Sequence, residues 1–397
     1  MSIIKEINSL ISNNKELISN WLFEKTKESE PPFYTSTDIR VSDKKITAVD
    51  TNIFPAGFNN LSDKFIDLAS KNVESFFRNK NDKVRKILII PELHTRNPFY
   101  WDNILSLQKI LYKSGIESKV GLIVEDDAEF EIDFDSSGPT KVNATTIKKE
   151  DNKIIAGDFV PDLILINNDF SNFFPEILLN ISQAIVPPIQ VGWHTRKKNI
   201  HFFFYNKLVD ELSKLLNIDE KIFSLETKLV EKVNIESLED RVRVAKIIEQ
   251  QLTLLNKKSS SGEVFIKNNS GTYGMSVMNI SDPEDFINLN REGRKKMKAS
   301  KGGMLLKDLI IQESVPTIYK NKEPVYYLIN NEVSGAFYRI NDNKDENENL
   351  NTKGMYFEFS HSIEPSLGLI AKVGAIATGL EIKHILNKNR YTFFCKL

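Results

Sequence analysis

Cysteine is almost missing: Cys395 is the single one in 397 residues, so no internal disulfide framework and no cysteine-rich zinc site can be built. Neither sign of charge is in excess. Fifty-three Lys and Arg stand against 54 Asp and Glu, a net of −1, which removes the broad basic surface that nucleic acid or an anionic membrane would need. Long apolar runs are missing as well. The opening stretch "MSIIKEINSLISNNKELISNWLFEK" sets Ile3, Ile4, Ile7, Leu10 and Ile11 at helical spacing but interrupts them with Lys5, Glu6 and Asn8. That is an amphipathic core helix rather than a signal peptide or a membrane span. His94, His194 and His201 do not have zinc-ligand spacing. What is present, 41% hydrophobic and 10% aromatic residues, supports a substantial core and excludes global disorder. The expectation is a cytoplasmic chain of roughly two or three domains.

Along the chain, Pro31 and Pro32 end the first helical pattern, and Phe65, Leu68, Val73 and Phe76 return to helical spacing. From residue 87 the order is a β-branched strand, a polar loop, a helix ending near Gly115 and the strand "KVGLIV". Strand–loop–helix–strand units favour a parallel sheet with its ligand loops at the strands' carboxyl ends. Residues 161–185 are expected to repeat the arrangement. A second regime begins near residue 206, with helices over 207–217 and 235–256 and a flexible joint at "NKKSSSG". Short strands follow around 264–267, 275–280, 308–313, 324–330 and 333–340, with a helix between the second and third. A final helix over about 364–386 is rich in small residues, which permits close packing.

The segment "GEVFIKNNSGTYGMSV", residues 262–277, carries Lys267 at the end of a strand and Gly271, Thr272, Tyr273 and Gly274 in a loop before apolar residues resume. It is not a P-loop, because no Gly-Lys-Ser or Gly-Lys-Thr opens a helix after it, and it is not a dinucleotide fingerprint, which also runs strand to helix. A strand-to-strand hairpin of this kind can offer successive backbone N–H groups to a triphosphate, with Lys267 adding a point charge. An ordinary hairpin with a solvated lysine explains the segment equally well in isolation. The elements after it favour the phosphate reading. Gln312 and Glu313 end an apolar strand where a base and ribose can hydrogen-bond, a strand pair leads to Arg339, and "ENENLN" collects carboxylates and amides. Together they follow the order of an ATP-grasp nucleotide site.

The same segments, with "PPFYTSTDIR", "VDTNIFPAGFNNL", "IPELHTRNPFYWDNI", "PDLILINNDFS" and "VGWHTRKKNIHF" upstream, resemble the proteobacterial glutamate–cysteine ligases of the ATP-grasp type from about residue 20 to residue 385. The resemblance implies an α/β chain: an N-terminal substrate-binding region (1–85), a Rossmann-like parallel-sheet domain (86–205) and an ATP-grasp nucleotide-binding domain (206–397). It also implies ATP- and magnesium-dependent joining of the L-glutamate γ-carboxylate to the L-cysteine amine, the first step of glutathione synthesis, in a reaction that needs no covalent nucleophile. Cys395 is therefore incidental.

Candidate residues follow from what such chemistry requires. Lys267 and Arg339 would neutralise charge during transfer. Glu348, Asn349 and Asn351 form the best local oxygen cluster for magnesium, with Glu358 in "MYFEFS" as a competitor. The usual ATP-grasp pattern of an acidic residue followed by Glu-x-Asn is not cleanly present. Arg40 and Arg96 suit the glutamate α-carboxylate through their bidentate forks, and Asp38 or Asp50 suits its ammonium. A structural ion pair accounts for each of these as readily. Asn52 and Asn59 flank the Pro-Gly turn "IFPAGF", which is either part of the site or a rigid corner. Arg196, Lys197 and Lys198 can approach phosphate or the cysteine carboxylate, although a basic run is more often a solvated face. Two other functions fit the phosphate-handling pattern: an ATP-grasp ligase for a different acid and amine, and an inactive nucleotide-binding regulator.

Overall fold

The computed structural model describes residues 2–79, 84–93, 98–124, 129–135, 139–171, 173–257, 262–270, 276–298 and 307–394. Two helices, α1 (Ile3–Asn13) and α2 (Lys15–Ser29), lead into a hairpin of β1 (Tyr34–Val41) and β2 (Ile46–Asn52). After α3 (Asp63–Asn79) the chain forms β3 (Lys86–Pro91), α4 (Pro98–Lys113), β4 (Glu117–Leu122), β5 (Glu129–Asp135), β6 (Pro139–Glu150), β7 (Lys153–Ala156), β8 (Leu163–Asn167) and β9 (Ala184–Val186). These strands make one sheet in the order β5-β6-β4-β3-β8-β9, with β7 paired to β6. Pairings from β6 through β9 are parallel and only β5 and β7 run antiparallel, so the expected parallel sheet is present. Its first crossover is the α4 helix. The second unit differs from expectation: residues 161–185 hold β8, a 3₁₀ turn at Glu176–Leu178 and β9, with no crossover helix. The turn stops at once, and two residues beyond it Asn180 takes a left-handed backbone with φ 51°, which does not continue a helix.

The remainder comprises α5 (Lys198–Leu216), β10 (Thr227–Val233), α6 (Leu238–Lys257), β11 (Val264–Asn268), β12 (Val277–Ile280), α7 (Pro283–Ile287), α8 (Arg291–Lys298), β13 (Lys307–Glu313), β14 (Lys322–Ile329), β15 (Glu332–Ile340), β16 (Tyr356–Phe359) and α9 (Pro365–Phe394). It builds two antiparallel sheets, β10-β13-β11-β12 and β16-β15-β14-β1-β2. The second draws two of its five strands from the N-terminal region, with Asp38 opposite Val325 across β1 and β14.

Period-two alternation fixes which faces are buried. On β11, Val264 and Ile266 enter a core with Val244 and Ile248 of α6, Phe286 of α7 and Met297 of α8, leaving Phe265 and Lys267 on the other face. On the five-stranded sheet, Ile39, Val41, Tyr326 and Leu328 pack toward α1, α5 and α9. Its opposite face carries Val325, Tyr327, Ile329 and Phe337 against α3 and α4, and these helices leave one end of it uncovered. Close packing of α9 is real: a Cβ on Gly379 would lie 2.5 Å from the Ser29 carbonyl oxygen, and one on Gly374 would lie 3.0 Å from the Thr51 hydroxyl.

Candidate active site

The uncovered end of the five-stranded sheet and the bare face of the four-stranded sheet look at one another across a cleft of about 720 Å³, open mouth included. Asp38 and Arg40 of β1, Asp50 of β2, Glu323 of β14 and Arg339 of β15 line one side, and Phe265, Lys267, Gln312 and Glu313 line the other. Lys198, at the start of α5, and the loop residues Asn349 and Asn351 complete the wall.

Strand register explains these meetings. Phe265 pairs with Gln312 and Lys267 with Ile310, so Lys267 lies diagonal to Gln312 on the same face. Lys267 Nζ donates to Gln312 Oε1 at 2.6 Å and to the Val49 carbonyl at 3.3 Å. Burial disfavours its charged form and lowers its pKa to about 8; Asp50 opposes that shift, while Lys198 and Arg40 reinforce it. Gln312 in turn donates to Thr227 Oγ1 at 3.1 Å. Glu313 accepts from Lys45 Nζ at 2.7 Å.

Across the cleft, Glu323 and Arg339 are cross-strand partners and bond directly. Arg339 Nη1 also donates to Asp38 Oδ2 at 2.7 Å, and Arg40 Nε donates to Glu323 Oε2 at 2.8 Å. Burial alone would raise the Glu323 pKa, but the two guanidinium groups reverse this and lower it. Asp38 is raised, chiefly by burial and also by Glu323 and Asp50, against the pull of Arg339. Asp50 accepts from Lys198 Nζ at 2.7 Å. Burial acts against its charge, yet Lys198, Lys267 and Arg196 bring its pKa down to about 2, so it stays ionised.

Most of the sequence candidates therefore converge: Lys267, Gln312, Glu313, Arg339, Asp38, Arg40, Asp50, Asn349 and Asn351 share one cleft. Arg40 is fully engaged by the protein, since its Nη1 and Nη2 donate to the carbonyls of Glu346 and Glu348 at 2.8 and 2.7 Å. Four candidates lie apart from the lining. Asn52 closes a turn with both backbone groups of Phe54, and half-buried Asn59 sits in the turn after it. The Glu348 carboxylate accepts from Lys344 Nζ at 2.6 Å and from the Asp345 amide at 2.9 Å. Glu358 is exposed on the edge strand β16 and pairs with Lys322 at 2.7 Å. Gly271, Thr272, Tyr273, Gly274 and Arg96 lie outside the described residues, as do His94 and Cys395.

Sequence reading missed Glu323, whose only local signal is a carboxylate standing before Pro324 at the start of a strand. It also undervalued the basic run. Arg196 is 1% exposed and pairs bidentately with Glu381, Nε–Oε1 2.9 Å and Nη2–Oε2 2.8 Å, so these residues are no solvated face. The side chains of Arg196 and Lys198 both stack on Trp193, 4.7 and 4.9 Å from the ring centre.

No group of three His, Cys, Asp or Glu side chains forms a ready-made metal cage among the described residues. No described helix is long and apolar enough to cross a membrane. Fold and cleft together define the class: an α/β protein with a charged cleft between two antiparallel sheets.

Comparison with known proteins narrows that class. The model of the glutamate-cysteine ligase family, GshA, matches residues 8–367. The chain belongs to this family and is an ATP-dependent carboxylate–amine ligase. It is also similar to a Methylobacillus flagellatus KT protein assigned provisionally as a gamma-glutamylcysteine synthetase, whose crystal structure superposes with a TM-score of 0.86 at 28% identity over 96% of each chain. More distant are the D-alanyl-alanine synthetase A of Vibrio cholerae (TM-score 0.37, 11% identity, 76% of this chain and 81% of that one) and the D-cycloserine synthetase DcsG (0.41, 11%, 76% and 82%). Those two likenesses are too low to bear on the assignment. No curated protein matches in sequence.

Proposed function

We propose that the cleft joins the γ-carboxylate of L-glutamate to the amine of L-cysteine through a γ-glutamyl phosphate, the committed step of cytoplasmic glutathione synthesis. One observation carries the reading: a half-buried lysine on one antiparallel sheet faces an ionised aspartate, the buried Arg40–Glu323 pair and the half-buried Arg339–Asp38 pair on the other, in a chain of this ligase family.

Lys267 is assigned to the ATP phosphates, and Gln312 and Glu313, which share its wall of the cleft, to base and ribose. Asp50, held ionised, suits the glutamate ammonium. Arg339, kept fully protonated by Asp38 and Glu323, is the cation assigned to the charge that develops on the transferring phosphoryl group. A carboxylate oxygen attacks the γ-phosphorus and ADP departs. The cysteine nitrogen then attacks the acyl carbon, phosphate leaves with that oxygen, and the amine gives up a proton. The protein's contribution is positioning and charge neutralisation.

The amide side chains of Asn349 and Asn351 on the cleft wall offer oxygens of the kind magnesium takes when phosphates and water complete its shell, although Asn349 Oδ1 also accepts from the Asn351 amide at 3.0 Å. Asn349 and Asn351 are the residues that would hold it. Magnesium supplies neutralisation of phosphate charge.

Phosphate release should require ATP, magnesium, glutamate and cysteine together, with γ-glutamylcysteine found by mass spectrometry. Nucleotide binding without that dipeptide would replace the substrate pair and call for a screen of other acids and amines.

A further inference from the structure

Helix α5 begins without a cap of its own. Its N-cap residue is Lys197, which has no acceptor side chain and makes no capping bond. The first amides of a helix have no intrahelical partner, and an Asn, Asp, Ser or Thr usually supplies one. Here the acceptors arrive from 70 residues away. The Lys198 amide donates to the Asn269 carbonyl at 2.8 Å, and the Asn199 amide to Asn269 Oδ1 at 2.9 Å. Asn269 Nδ2 returns a bond to Asn199 Oδ1 at 2.8 Å. Asn269 is 2% exposed, and its own amide is held by the Asp308 carbonyl of β13 at 2.9 Å. Beside it, Lys197 Nζ donates to Ser270 Oγ.

The location gives this cap its significance. Asn269 follows β11 directly, two residues after Lys267 and two before Gly271. The helix turn that it caps carries Lys198, whose ammonium pairs with Asp50. One buried amide thus ties the base of the glycine hairpin to the residue that neutralises the opposite wall.

We propose that Asn269 is a positioning residue for the reaction: by capping α5 in trans, it fixes the spacing between the phosphate-side group Lys267 and the substrate-side pair Asp50–Lys198. The inference rests on the reading of Lys267 as a phosphate ligand. Asn269 touches no reacting atom, and its effect is carried by the elements on either side of it.

The test compares wild-type protein with Asn269→Ala, Asn269→Asp and Asn199→Ala. Binding of a non-hydrolysable ATP analogue with magnesium is read by calorimetry, alongside Michaelis constants and the melting temperature. Asn269→Ala should weaken the analogue by about fivefold or more, the scale of a lost helix cap, and raise the Michaelis constant for ATP in parallel. Asn269→Asp keeps an acceptor for the Asn199 amide and, with the Asn199 side chain turned over, for its Nδ2 as well. It should recover most of the loss. A lower melting temperature with analogue affinity within twofold of wild type would reduce Asn269 to a structural role and overturn the proposal. Should Asn269→Ala not fold, Asn199→Ala decides in the same way, with an expected loss of about two- to fivefold and unchanged affinity counting against the proposal. Analogue binding needs neither amino acid. If wild type bound the analogue but made no dipeptide, the substrate assignment would fail while the Asn269 comparison still gave its answer.

Discussion

Asp50 and Lys198, 148 residues apart in the chain, meet at 2.7 Å on the wall of the cleft, and both act on a third group, Lys267. Asp50 favours the Lys267 charge and Lys198 opposes it. The three form one electrostatic unit whose members arrive on β2, α5 and β11.

Removing Lys267 should harm ATP use and spare the fold. A charged hydrogen bond to phosphate is worth roughly 1.5–3 kcal/mol, so Lys267→Ala should lower kcat/KM for ATP about 10- to 100-fold. Far-UV circular dichroism should be unchanged. An unaltered Michaelis constant and turnover would remove Lys267 from the site.

The same lysine predicts an alkaline limb. The profile of kcat/KM for ATP reports the free enzyme, so it should fall above about pH 8 as Lys267 loses its proton. Stability behaves oppositely. Between about 8 and the ordinary 10.5 the unfolded chain binds the proton that the folded chain has released, so the Lys267 contribution to stability rises with pH across that window. Asp50→Asn removes the carboxylate that supports the charge and should move the limb to lower pH. A limb unmoved by Asp50→Asn would separate the two residues.

Glu381 should govern part of the acid stability. Arg196 and His201 face it, Arg196 through two bonds and His201 at 3.4 Å, and despite burial its pKa falls to about 2 from 4.5. Its contribution, on the order of 3 kcal/mol, is present above pH 4.5 and lost as pH falls toward 2. Glu381→Gln should destabilise the protein at pH 7 by about 3–5 kcal/mol, because Arg196 is left buried and unpaired, and should flatten the dependence over that acid window. Urea unfolding at a series of pH values reads both effects.

The magnesium candidates separate by position. Asn351→Ala, on the cleft wall, should raise the magnesium concentration needed for half-maximal activity several-fold. Glu358→Ala should leave it unchanged, since Glu358 is exposed and paired with Lys322 outside the lining. The reverse result would move the metal toward β16.

Legibility in the sequence followed the range of the interaction. Helices α6 and α9 and strands β11 to β15 lie near their expected positions, because periodicity and turn residues act over a few neighbours, whereas α5 begins at Lys198, well before the expected 207. The helix expected within 161–185 is only the 3₁₀ turn Glu176–Leu178, with Asn180 in a left-handed conformation soon after it. Lys267, Gln312 and Arg339 stood out as polar residues ending or crossing apolar strands. Glu323 did not, because its meaning depends on lying opposite Arg339 and beside Arg40.

The sequence by itself determined the family, the alternation of strand faces and the residue types able to handle phosphate, carboxylate and ammonium. Tertiary structure decided which of them share a cleft. Antiparallel pairing of β1 with β14 brings Asp38 and Arg40 to Glu323 and Arg339, and a helix without its own cap draws Lys198 to the foot of the glycine hairpin. Such contacts join residues 70 to more than 300 positions apart, and no local propensity encodes them. They form because buried charges and buried amide groups must find partners once the two sheets have packed.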